Sequence, residues 1–151
     1  MNTSKFILVL AMVLAITSIG LLNTNQQNKK SEKKVAVDSL TSNLQEEVSV
    51  IFKTNCATSG CHKGKFPKKK LNLEPDTFIE AIVNVHSTQI DSLKLVDTAV
   101  PMRSYLLMKV RGDKGIIKKR MPIEAPPLKS EEIKTIEDWI KALANTDVKT
   151  K

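Results

Sequence analysis

Four stretches of the chain repeat apolar residues at helical spacing. Leu44, Val48, Ile51 and Phe52 lie four, three and one residues apart and predict an amphipathic helix that ends just before Cys56. Thr41 or Ser42 is the expected N-cap, and Glu46 and Glu47 fall in the early turns, where the helix dipole favours acids. Phe78, Ile79, Ile82 and Val83 predict a second helix, entered through Glu74-Pro75-Asp76 with proline in the first turn. Pro101 to Val110 reads as a third, with Ser104 near its start and Met102 and Met108 packing along it; Arg111-Gly112-Asp113-Lys114-Gly115 ends it as a turn. The fourth pattern is the strongest. Ile133, Ile136, Ile140 and Leu143 repeat at three, four and three, starting from Ser130 with Glu131 and Glu132 in the first turn. Trp139, the single tryptophan, sits on this helix and is expected to anchor the core against Phe52 and the first helix.

Between these stretches the pattern breaks. Lys63-Gly64-Lys65-Phe66-Pro67-Lys68-Lys69-Lys70 is a loop by its glycine, proline and charge. Leu71 and Leu73 alternate around Asn72 as a short extended segment does. Asn84 to Ala99 is irregular and reads as loop with one helical turn at most. Lys118-Lys119-Arg120-Met121-Pro122 is a second basic loop.

Upstream, a short start (Met1 to Lys5) is followed by an apolar run from Phe6 to Leu22, so residues 1–22 read as an export signal or an uncleaved membrane anchor. Ser18-Ile19-Gly20 offers small residues for cleavage, and no cysteine follows for a lipid-modified terminus. Residues 23–43 are mostly Asn, Gln, Lys, Ser and Glu and are expected to be a polar flexible linker. That leaves a folded domain over 44–147 and a polar tail over 148–151. The expected location is periplasmic or otherwise extracytoplasmic, either free or tethered through residues 6–22.

The candidate chemistry lies where the first helix ends. Cys56-Ala57-Thr58-Ser59-Gly60-Cys61-His62 holds the only two cysteines, with a histidine directly after the second. Each thiol can add to a vinyl group of haem, and the histidine is then held under the iron as an axial ligand. The common attachment signature has two residues between the cysteines; here there are four, all small or polar and including Gly60. Three other readings remain open. The cysteines could form a disulfide, which would not call for the histidine. Cys56, Cys61, His62 and His86 could ligate zinc, although adjacent Cys61 and His62 are awkward on one tetrahedral ion. Or the two cysteines could be unrelated. Aromatic residues make up only 4% of the chain, so the core of a domain of about a hundred residues is modest, and a buried haem would add apolar surface to it.

Met121 is the candidate for the far side of the iron. A thioether is a soft donor that favours the reduced metal, and Pro122 stiffens the loop that carries it. Methionine more often fills a core gap, but Met121 stands between Arg120 and Pro122 in a polar loop. His86 is the alternative distal ligand; its bland reading is a solvent-facing or hydrogen-bonded histidine.

The order of an amphipathic helix, Cys56…Cys61-His62, Leu71-x-Leu73, a middle helix, Ser104-Tyr105-Leu106-Leu107, Met121-Pro122 and a last helix with Trp139-Ile140 resembles the single-haem c-type cytochrome domains of exported bacterial proteins. The resemblance spans roughly Leu44 to Ala144. It implies an all-α fold of about four helices around one haem, with the first and last helices crossing near it. It also implies one covalent haem c, thioether bonds at Cys56 and Cys61, and axial ligands at His62 and Met121. The function so implied is that of a one-electron carrier, not an enzyme. The departure is the four-residue gap between the cysteines, which bears on which attachment machinery accepts the chain.

Charge adds an expected partner. From Leu44 onward there are 19 Lys and Arg against 14 Asp and Glu, a difference of +5. Lys63, Lys65, Lys68, Lys69 and Lys70 follow the proximal ligand, and Lys118, Lys119 and Arg120 precede the distal one. A basic rim of this kind steers redox partner proteins with an acidic docking surface; the bland reading is a solvated surface with no partner. Nucleic acid is not an expected partner, because no recognition motif or aromatic stacking platform accompanies the lysines. A membrane enters only through the N-terminal anchor. No acid–base or nucleophile constellation is present. Two alternatives stay open: a haem-based sensor or peroxidase-like domain with an open sixth position, and a haem-free exported domain closed by a disulfide.

Overall fold

The computed structural model describes residues 35–146. The expected signal or anchor over 1–22, most of the expected linker and the tail over 148–151 lie outside the described residues. Among the described residues the protein is mostly helical, with four α-helices and no strand, so the all-α class is observed. None of these helices is long and apolar enough to cross a membrane.

The first helix, α1, covers residues 35–55 and starts well before the expected boundary at 44. Residues 35–43, expected to belong to the polar linker, are its first turns. Thr41 is interior, not an N-cap: it is buried, and its Oγ1 donates to the Val37 carbonyl at 2.8 Å. The reason lies in the spacing. Val37 and Thr41 continue the Leu44–Val48 stripe upstream at intervals of four and three, and a threonine that back-bonds to its own helix can sit on a buried face.

Helix α2, Phe78–Ile82, and helix α4, Ser130–Asn145, lie where the periodicity places them. The third helix is shorter than expected. Pro101–Arg103 forms a separate 3-10 turn, the backbone is extended at Ser104 (φ −60, ψ 119), and α3 is Tyr105–Arg111. Ser104 is fully buried, and its hydroxyl accepts from the Asp97 N–H at 2.9 Å. The next two N–H groups, of Tyr105 and Leu106, donate to the carbonyls of Lys94 and Leu95. The long-range hydrogen bonds therefore set where α3 begins. Met102, expected to pack along a helix, is instead 50% exposed on the 3-10 turn.

The irregular segment after α2 contains no helical turn. It doubles back through two isolated bridges, Val83 with Val96 and His86 with Lys94. Asn84, in the left-handed region at φ 58, accepts on its side-chain oxygen from the Thr98 N–H and from Lys94 Nζ, both at 3.3 Å. This ties the segment without a sheet.

The core joins Val48 and Phe52 of α1, Phe78 and Ile82 of α2, Leu107 and Val110 of α3, and Ile136, Trp139 and Ile140 of α4. Trp139 is fully buried, as expected, but its ring partner is Phe78: their centroids are 5.8 Å apart at 52°. Phe78 in turn meets Phe52 edge-on at 5.4 Å and 90°. The aromatic contact between α1 and α4 thus runs through α2.

Candidate functional site

Helix α1 delivers the chain into the cysteine loop without a break. The N–H groups of Cys56 and Ala57 both donate to the Phe52 carbonyl, at 2.8 and 2.7 Å. The loop then closes on itself: Cys61 N–H donates to Thr58, and His62 N–H donates back to the Cys56 carbonyl at 3.1 Å. The four intervening residues are accommodated by burying Ala57 and turning Thr58, Ser59 and Gly60 outward, with Gly60 left-handed at φ 75. The longer spacing therefore lengthens an exposed turn and leaves both thiols at the base of the same loop.

His62 is held in one orientation. Its Nδ1 lies 3.1 Å from the Leu71 carbonyl, which can only accept, so Nδ1 carries the proton and Nε2 keeps its lone pair. The His62 carbonyl accepts from the Leu73 N–H at 2.9 Å. The short Leu71–Leu73 segment is thus the brace for the imidazole. Burial holds the imidazole pKa below the usual histidine range, which favours the neutral, ligating form. Burial, and then the neighbouring Cys61 and Glu132, push the Cys56 thiol up to about 12. Both cysteines are free thiols, not a disulfide.

Cys56, Cys61, His62 and Met121 all line one cleft of about 900 Å³. Its apolar wall includes Leu71, Leu73, Ala81, Leu95, Leu106 and Val110. Asn55 and Glu132 also line it, and their side chains meet at 3.4 Å, which places the end of α1 beside the start of α4 at this cleft. Met121 is half-buried, and its N–H donates to the Lys109 carbonyl at 2.8 Å. His86 also reaches the cleft, but it is exposed and its Nδ1 donates to the Asp91 carbonyl at 2.6 Å.

Two expectations about charge change. Lys68, Lys69, Lys70, Lys118 and Lys119 are exposed and line the cleft, whereas Lys63 and Lys65 are exposed away from it. Arg120 turns back on its own loop, donating to the carbonyls of Met121 and Ala125. The zinc set is not assembled: among the described residues no group of three or more His, Cys, Asp or Glu side chains is arranged to hold a metal ion.

Tyr105 and Lys109 also belong to the site, although the sequence pattern does not mark them. Both are buried, and both line the cleft. Lys109 Nζ donates to the Ile117 carbonyl at 3.0 Å and to the Lys119 carbonyl, and Tyr105 Oη accepts from the Ile117 N–H at 3.0 Å. Their spacing of four on one helix was legible, but a lysine at such a position reads as solvent-facing. Comparison with protein-family models, with curated proteins and with solved structures found no match.

Proposed function

We propose that the protein is an exported monohaem c-type cytochrome that carries single electrons. The observation that carries this reading is the convergence of two free thiols, an imidazole with its Nε2 lone pair free, and a thioether on one apolar cleft. A volume of about 900 Å³ is at the upper end of the roughly 300–1,000 Å³ typical of cofactor sites. The donor set is that of a covalently held haem c with one nitrogen and one sulfur ligand. Haem bound there would supply a one-electron iron couple.

The chain's own residues have distinct roles in this reading. Cys56 and Cys61 would hold the group by thioether bonds. His62 would supply the nitrogen ligand, with its ring oriented and made more basic by the Leu71 carbonyl. Met121 would supply the sulfur ligand, a soft donor that favours the reduced state. Leu71, Leu73, Leu95 and Leu106 exclude water and lower the local polarity, which also disfavours the more highly charged ferric form. The extracytoplasmic location rests on the apolar run of residues 6–22.

The test is the optical spectrum of the purified protein, made with a cytochrome maturation system, in both oxidation states. The expected result is covalent haem with low-spin bands and the weak red band of ferric iron bonded to methionine sulfur. High-spin bands would favour a sensor or peroxidase-like site with an open sixth position; no haem, with the thiols oxidised to a disulfide, would end the cytochrome reading. Met121→Ala is expected to remove the red band and let carbon monoxide bind the reduced iron. It should also lower the potential by on the order of 0.1 V, within the roughly 0.8 V that axial ligands command. An unchanged spectrum and potential would pass the distal role to His86 or a lysine.

The five lysines at the cleft mouth support a redox partner with an acidic surface. Electron transfer to such a partner is expected to slow several-fold as ionic strength rises from about 0.01 to about 0.15 M, because the screening length falls from about 30 to about 8 Å. A rate indifferent to salt, measured by stopped flow, would count against docking through these lysines.

A further inference from the structure

The loop that carries Met121 is fastened to one face of α3. Tyr105, Lys109 and Gly112 are four and three residues apart and share that face. At the near end of the loop, the Ile117 N–H donates to Tyr105 Oη, whose own proton goes to Gln89 Oε1 at 3.1 Å. In the middle, Lys109 Nζ donates to the carbonyls of Ile117 and Lys119, which flank Lys118 in its left-handed conformation at φ 64. At the far end, the Lys109 carbonyl accepts the Met121 N–H. One residue therefore grips the loop twice, by its side chain before the methionine and by its backbone at the methionine. The chain just before Met121 is equally close to the end of α3: a Cβ at Gly112 would lie 3.0 Å from the Arg120 side chain.

A lysine is seldom buried, because its stem can lie on apolar surface while the ammonium reaches water. Lys109 is 7% exposed, and its partners are loop carbonyls rather than a carboxylate. An ammonium offers three donors and no acceptor, so it suits a point where carbonyls converge and a neutral side chain of the same length does not. Without it, two loop carbonyls would lose their donor, and the loop would have to shift to find another.

We infer that Lys109 is the positioning residue that presents Met121 to the cleft. This rests on the reading of Met121 as the distal ligand. The Lys109 ammonium is spent on the loop carbonyls, so its removal should act on the sulfur–iron bond while leaving haem attachment and the helical core in place.

The test uses the full chain with haem attached, as wild type, Lys109→Leu, Lys109→Gln and Lys109→Arg. Lys109→Leu removes every donor and brings no sulfur or nitrogen that could itself ligate iron. It is expected to retain covalent haem and helical content, to lose the ferric red band and to gain carbon monoxide binding in the reduced state. Lys109→Arg, which keeps a charged side chain with several N–H donors, is expected to keep the band. Lys109→Gln keeps a donor for one carbonyl, serves as the second variant should Lys109→Leu fail to fold, and is expected to weaken the band. A full red band with no carbon monoxide binding in Lys109→Leu, or in Lys109→Gln where only that variant folds, would overturn the role of Lys109 alone. A wild type with no red band would overturn the His/Met reading itself, and the inference with it.

Discussion

Cys56→Ala/Cys61→Ala, made with the same maturation system, is expected to carry no haem that survives denaturation. Both thiols stand at the base of one closed loop, and no other cysteine exists in the chain to replace either. The effect should be complete rather than graded, because a thioether bond is either present or absent. Weak haem binding through His62 should remain, since the imidazole is braced by Leu71 and Leu73 and not by either thiol. Each single variant should keep one thioether bond, with a shift in the reduced band that reports one unreacted vinyl group. The mass of the denatured double variant is the check, and a haem-bearing mass would refute covalent attachment through this pair.

Losing the haem should also cost stability. A group that binds only the folded state stabilises it in proportion to its affinity, and here it would fill a cleft walled by leucines. The haem-free double variant is therefore expected to unfold at lower temperature than the holoprotein. The substitutions themselves remove little, because both cysteines are only partly buried and alanine keeps the helix end intact.

The second large effect is expected at Trp139. Trp139→Ala should destabilise the domain by about 3–5 kcal/mol, the range for emptying a buried aromatic site. Set against a total of roughly 5–15 kcal/mol for domains in general, that would leave the fold marginal. The ring is fully buried and packed on Phe78, and α4 has no larger side chain in the core. Its Nε1 has no hydrogen-bond partner among the described residues. Trp139→Phe removes that donor along with part of the ring, so its loss should be well under half that of alanine. Urea unfolding followed by far-UV circular dichroism gives both values. A change below about 1 kcal/mol for alanine would remove Trp139 from the centre of the core.

Helix α4 was legible because its stripe of Ile133, Ile136, Ile140 and Leu143 is complete within one segment, and α2 because Phe78 and Ile82 are flanked by a proline entry. The cysteine loop was legible because its two cysteines and histidine lie within seven consecutive residues, Cys56 to His62. Helix α1 extends upstream of the stripe that predicts it. Its upstream turns bury a threonine, and a polar residue on a buried face carries no periodic signal. Helix α3 starts later than its pattern predicts, because the hydrogen bonds that delay its start run to Asp97, Lys94 and Leu95, outside the window in which a helical pattern is counted.

The amino-acid sequence by itself determined the helical stripes, the cysteine–histidine loop and the pairing of methionine with proline, since each is a matter of residues within a few positions of one another. Only the tertiary structure decided that Met121 shares a cleft with Cys56, Cys61 and His62, that the Leu71 carbonyl leaves the imidazole Nε2 free, that Phe78 joins Phe52 to Trp139, and that Lys109 is buried under the Met121 loop. Those facts depend on contacts between residues distant along the chain. Local spacing constrains which face a side chain takes, but not what the rest of the chain brings against that face.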